Sequence, residues 1–172
     1  MLSKQEFDAL GPVFASHGWV FFGPYRRGQG LSAAAGPYIG DQIAAAEKDG
    51  GIPAGAAAMV RLLETDHLND QLAALAWLRK QGFVQPDRIA VAGNSFGGIE
   101  TVLGADQAAN DYDLSPSKTL SAVMKDAGKT YEVKIYPAYG NSPQEGHTFG
   151  YFGAAVWADD VFRFLNHHCA KQ

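Results

Sequence analysis

Hydrophobic and polar positions along the chain follow two periods. Phe7, Leu10, Val13 and Phe14 recur at helical spacing, and Pro12 marks a restart of that helix, because a proline interrupts the backbone ladder. The run Trp19-Val20-Phe21-Phe22 lies between His17-Gly18 and Gly23-Pro24; its unbroken apolar character predicts a strand covered on both faces. Residues 25–32, YRRGQGLS, predict a loop in which Gly28 and Gly30 permit turns. Alanines dominate residues 44–58 but are interrupted by Gly50, Gly51, Pro53 and Gly55, which predicts a helix, a break and a second helix start. From Asp66 to Gln81, Leu68, Leu72, Leu75 and Leu78 form an apolar helical stripe that Gly82 ends.

The second half opens with Pro86-Asp87, which turns the chain into a predicted buried strand, Arg88-Ile89-Ala90-Val91-Ala92. A tight turn, Gly93-Asn94-Ser95-Phe96-Gly97, follows, and Ile99 to Ala105 is expected to be helical. After the polar stretch Asp106 to Asp113, Ser115-Pro116 starts a helix carrying Leu120, Val123 and Met124, and Gly128 stops it. Tyr131 to Tyr136 predicts a strand ended by Pro137. Val156, Trp157, Val161, Phe164 and Leu165 give a last amphipathic helix that should pack on the sheet. Helix, strand, sharp turn and helix in that order predict an α/β fold, and 172 residues fit a single domain spanning 1–172.

Composition narrows the function. Hydrophobic residues make up 47% and charged residues 19%, the balance of a compact folded protein. A formal charge of -4, with no basic block beyond Arg26-Arg27, argues against a nucleic-acid footprint. The N-terminus lacks a signal-peptide pattern, and no apolar run reaches the roughly 20 residues a membrane span needs, so a cytoplasmic protein is expected. The single cysteine, Cys169, leaves no intrachain disulfide and no Cys-rich metal site. Neither a phosphate-binding lysine motif nor a dinucleotide fingerprint occurs, and the histidines lack ligand spacing; no metal or cofactor is expected.

The chemistry centres on Ser95. A serine in a strand-to-helix elbow needs small residues two before and two after it, and Gly93 and Gly97 meet that need. Such a turn exposes the serine Oγ to a neighbouring imidazole, while the backbone N–H of Phe96 could donate to a tetrahedral oxyanion. The alternative is an incidental glycine-rich turn. Of His17, His67, His147, His167 and His168, the best-placed base is His147, in a glycine-rich loop after the last strand. His17 precedes a strand, His67 is expected at the surface of a helix start, and His167 and His168 fall in the C-terminal turn. The acid should lie between serine and histidine in chain order; Asp111 is the first candidate and Asp113 the second.

Together these segments resemble the dienelactone-hydrolase-like and prolyl-oligopeptidase-like branch of the α/β-hydrolases. ASHGWVFFGPYRRGQGLS, from Ala15, looks like that family's fourth strand and following loop, and RIAVAGNSFGG, from Arg88, looks like its fifth strand and elbow. NDYDLSPS, from Asn110, is similar to its acid loop, with Asp111 at the triad acid; YEVKIYP, from Tyr131, and EGHTFG, from Glu145, resemble its eighth strand and histidine loop. The resemblance implies a three-layer α/β-hydrolase-like fold and a serine hydrolase of ester, lactone or peptide-like carbonyls.

The departures imply a reduced, mostly parallel sheet. Only fourteen residues precede Ala15, where the family has its first strands and the loop giving the second oxyanion N–H. Losing one such donor costs about 3 kcal/mol of transition-state stabilisation. Between Asp106 and Asn110 only Gln107, Ala108 and Ala109 stand for the family's sixth strand, lid and seventh strand. A helix from Phe96 to Ala105 would carry the chain about 15 Å from the serine edge. Asp111 returns to His147 only if the following residues climb back at about 3.3 Å each; otherwise the triad is broken. Two outcomes follow: an active Ser-His-Asp hydrolase, or a shortened, weakly active or inactive scaffold that serves as an interaction domain. Exposed sheet edges would favour a homo-oligomer in either case.

Overall fold

The polar segment that leads to Asp111 does climb, and it does so as a strand. The computed structural model describes residues 4–94 and 104–169. Within them, β1 (Gly104–Ala108) lies parallel to β2 (Glu132–Tyr136), in register from Gly104 opposite Glu132 to Ala108 opposite Tyr136. The connection is α4 (Ser115–Asp126), so β1, α4 and β2 form a strand-helix-strand unit. Among the described residues, sheet pairing is confined to these two strands. The protein therefore has a reduced α/β fold, mostly helical, with a small open parallel sheet. Gly104 and Ala105, expected at the end of a helix, belong to β1 instead. Backbone pairing to β2 decides their conformation over local propensity.

The chain forms two compact units, one of residues 22–87 and one that joins residues 4–21 to the described residues from Arg88 onward. The core of the second unit gathers Ala108 of β1, Tyr136 of β2, Phe149 of α6 (Phe149–Phe152), Leu10 of α1 (Lys4–Ser16), and Trp157 and Phe162 of α7 (Ala154–His168). The predicted last helix is thus present and packs on the sheet. Its buried centre is Trp157 and Phe162, while Val156 is exposed. Asp160 of α7 accepts from the Tyr136 phenol at 3.0 Å and pairs with Lys134, tying helix to strand. Those donors hold the Asp160 carboxyl below the usual carboxylate range.

Three expectations for this unit are corrected. α1 runs unbroken through Pro12, because Gly11 before it has no Cβ to clash with the proline ring. Residues 19–22 are not a strand: Trp19 and Phe21 pack on the core while Val20 and Phe22 are exposed, so one side is covered rather than both. Residues 88–92 likewise run as irregular chain, with Val91 exposed. Neither run has a strand partner among the described residues, and an apolar run without a pairing edge cannot satisfy a ladder.

In the other unit, α2 (Ile39–Glu64) is broken by non-helical Gly50 and Gly51, the latter at φ 73. This is the predicted break, with Pro53 just inside the restarted helix where its missing N–H costs nothing. Ile39, Leu62 and Leu63 form the buried core here. α3 (Asp66–Leu78) starts at the predicted residue and ends three short, but its leucine stripe is not fully covered, since Leu68 and Leu72 are exposed. His67, expected at the surface, is 0% exposed, and neither ring nitrogen meets a hydrogen-bond partner among the described residues. Burial, reinforced by the Arg26 charge, lowers its pKa and keeps it neutral.

Arg27, in the loop before a short 3₁₀ helix (Gly30–Ala35), grips α3 through Asp70. Its Nη2 donates to Asp70 Oδ1 at 2.8 Å and its Nε to Oδ2 at 3.0 Å; its backbone N–H adds a 2.9 Å bond to Oδ2. The Arg27 hydrogen bonds hold the Asp70 carboxyl below its ordinary 3.8. A depressed carboxyl pKa means that the stabilisation is fully present above the unfolded value and is lost as pH falls through the folded one. We therefore expect Asp70→Asn to flatten the acid limb of the stability curve below about pH 4. Urea titrations at pH 7 and at pH 3 check this: the native protein should lose more stability between them than the variant.

Candidate functional site

Because β1 and β2 are parallel, their carboxyl ends open on the same edge, where loops of α/β proteins carry their chemistry. Past Ala108 the ladder continues for one bond, Ala109 N–H to Tyr136 O at 2.9 Å, and a turn from Asp111 N–H to Ala108 O at 3.1 Å aims Asp111 at that edge. Past Tyr136, the glycine-rich segment expected as a plain loop folds into α5 (Pro143–His147). Ser142 caps it: Glu145 N–H donates to Ser142 Oγ at 3.2 Å, and the Glu145 carboxylate accepts from Asn141 N–H at 2.8 Å and the Ser142 hydroxyl at 2.9 Å. This reciprocal cap depresses the Glu145 pKa and fixes the start of a helix that ends on His147.

The two segments meet through His147 Nδ1 and Asp111 Oδ1, 2.9 Å apart. The Asp111 side chain is 9% exposed and that of His147 31%, so the acid is sheltered and the imidazole reaches solvent. Asp111 also accepts from Tyr112 N–H at 2.7 Å on Oδ1 and from Gln107 Nε2 at 3.0 Å on Oδ2. Gln107 is oriented in turn by the Ser117 hydroxyl of α4, which donates to its Oε1. An ionised carboxylate only accepts, so it selects the tautomer with hydrogen on Nδ1 and leaves Nε2 with a free lone pair. That is the state of a general base.

Around the imidazole, the Tyr112 ring lies 5.2 Å from that of His147 and its phenol donates to Gln144. Asn94 donates from Nδ2 to His147 O at 3.4 Å and also hydrogen-bonds the Tyr151 phenol, whose pKa burial pushes up. The second acid candidate, Asp113, is engaged elsewhere: it accepts from Ser115 N–H and the Ser115 hydroxyl, both at 2.8 Å, at the start of α4. Those bonds lower its pKa. Of the predicted site residues, Asp111 and His147 are thus brought together. Ser95 and Phe96, with Gly97 and Gly98 of the expected elbow, lie outside the described residues.

The other histidines of this unit are engaged elsewhere or exposed. His17 binds Val13 O at 2.8 Å and stacks on Phe162 at 3.8 Å; His167 and His168 are exposed at the end of α7. Sequence reasoning missed Gln107, Asn110 and Tyr112. Their only signal was adjacency to Asp111, since side-chain amides and phenols serve many purposes.

These features define a reduced α/β fold with a histidine–carboxylate pair at the carboxyl edge of its parallel strands. The model of the prolyl oligopeptidase family matches residues 56–152, more than half of the chain, and the protein belongs to that serine-hydrolase-related family. The matched span contains Ser95, Asp111 and His147. No curated protein and no solved structure matches the chain. Among the described residues, no helix is long and apolar enough to cross a membrane.

Proposed function

We propose that the protein is a serine hydrolase that cleaves an ester, lactone or peptide-like carbonyl through an acyl-enzyme. Ser95 Oγ attacks the carbonyl carbon while His147 Nε2 takes its proton. Asp111 holds the Nδ1–H of His147 and balances the imidazolium charge that forms. Phe96 N–H donates to the developing oxyanion. The protonated His147 then delivers its proton to the leaving alcohol or amine, and a water molecule, deprotonated by the same nitrogen, releases the acid and restores Ser95. The scheme calls for no metal or cofactor.

The observation that carries this reading is the 2.9 Å contact between His147 Nδ1 and a sheltered Asp111 already satisfied by two further donors. An acid so held can orient a base. Support also comes from Asn94, which immediately precedes Ser95 and is hydrogen-bonded to the His147 carbonyl, and from membership of a serine-hydrolase-related family. The test is treatment with a fluorophosphonate together with assay on short-chain nitrophenyl esters and a simple lactone. One equivalent of phosphonyl group on Ser95, with parallel loss of hydrolysis, is the expected result. Hydrolysis that survives full modification, or a reagent that leaves Ser95 untouched, would overturn the proposal.

A further inference from the structure

Asn110 stands between the end of β1 and Asp111, and its side chain reaches across to the segment that leads into α5. Its Nδ2 donates to Tyr139 O and to Ser142 O, each at 2.9 Å, and its Oδ1 accepts from Tyr139 N–H at 2.8 Å. An amide offers two donors and one carbonyl on the same planar group, and here all three functions are spent on one short stretch of backbone. No hydroxyl or carboxylate can reproduce the set.

Gly146, the residue before His147, packs against Asn110 as well. A Cβ there would meet the Asn110 carbonyl carbon and oxygen at 2.7 Å and its Oδ1 at 2.8 Å. Asn110 is thus held against the chain both before α5 and within it, and Ser142, one of its partners, is the cap of that helix. The acid–base contact itself is a single bond between two side chains. Its length therefore follows the separation of the two backbones, which the Asn110 bonds span.

We infer that Asn110 is a positioning residue: by fastening the histidine segment at Tyr139 and Ser142 to the acid turn, it sets the alignment of Asp111 with His147. Only its effect on rate rests on the hydrolase reading; its effect on the pair does not.

The test uses the full chain and proton NMR of the imidazole N–H shared between His147 and Asp111, a downfield resonance assigned by its loss in His147→Gln. Asn110→Asp, studied near pH 8, keeps the volume and the acceptor for Tyr139 N–H but removes both donations. The expected result is loss or marked displacement of the resonance while the protein still unfolds in one cooperative transition. On an ester substrate kcat should fall about 100-fold, the cost of misplacing a reacting group by about 1 Å, with KM within about twofold. Asn110→Ala should behave alike and serves where the added charge prevents folding.

A native-like resonance in either folded variant, with only the melting temperature lowered, would reduce Asn110 to a structural staple and overturn the inference. So would a native protein in which the resonance stays absent at low temperature, where exchange with water is slow, and the ¹⁵N shifts of His147 show no hydrogen on Nδ1. A native protein that hydrolyses nothing, yet shows the resonance and loses it in the variants, would leave the positioning role standing and remove the hydrolase reading alone.

Discussion

Ser95→Ala is expected to lower kcat/KM for any ester the protein hydrolyses by about a million-fold, the loss seen when the nucleophile of such a unit is deleted. The change removes one hydroxyl, so circular dichroism and the unfolding midpoint should stay at native values. His147→Ala should fall to the same floor, and the double variant should fall no further, because nucleophile and base act as one unit whose losses are not additive. Burst kinetics on a nitrophenyl ester would separate acylation from release. A Ser95→Ala protein within tenfold of native activity would show that another group performs the attack, and additive losses in the double variant would show that Ser95 and His147 do not act together.

The settings of Asp111 and His147 were legible in the sequence because they rest on short-range order, while whether the two meet was left open. Tyr131 to Tyr136 has strand alternation with Pro137 to end it, and Ser115-Pro116 announces a helix, so the turn before α4 and the segment after β2 could both be placed. Given parallel strands, Asp111 and His147 must then share an edge. Chain order admits both Asp111 and Asp113, and only the resemblance separated them. Structure adds the reason: Asp113 is spent on Ser115, two residues on, as short acidic side chains before a helix commonly are.

What the sequence hid depends on partners far away in the chain. β1 reads as a poor strand because Gly104-Ala105-Asp106-Gln107-Ala108 has no β-branched residue, yet pairing with β2 and burial of Ala108 in the core make it one. The opposite error falls on residues 19–22 and 88–92, apolar enough for strands but without a neighbour among the described residues. His67 is the third kind of miss. A histidine at a helix start is usually wet, and nothing local tells that this one is sealed with neither ring nitrogen partnered among the described residues. Local pattern thus located loops and caps, while pairing and burial were decided by tertiary context.

In Asp111→Asn an amide replaces the carboxylate beside His147 Nδ1, and its NH₂ can donate where the acid could only accept. The imidazole then moves its hydrogen to Nε2, the nitrogen that must receive the proton of Ser95, and kcat should drop about 10⁴-fold. Gln107 donates to Oδ2 and needs an acceptor there, which favours presenting the NH₂ to the ring, at the expense of Tyr112 N–H, which shares Oδ1 with His147 and would lose its acceptor. Asp113→Asn, by contrast, removes only the charge beside Ser115 at the start of α4 and keeps an oxygen for its N–H: it should lower the melting temperature slightly, more so at neutral pH than in acid where the native carboxyl is itself protonated, and leave kcat unchanged. Steady-state kinetics and thermal melts on the two variants, side by side, decide the matter. A rate loss in Asp113→Asn that matches or exceeds that of Asp111→Asn would move the acid to the second aspartate and leave the 2.9 Å contact of His147 as a structural bond.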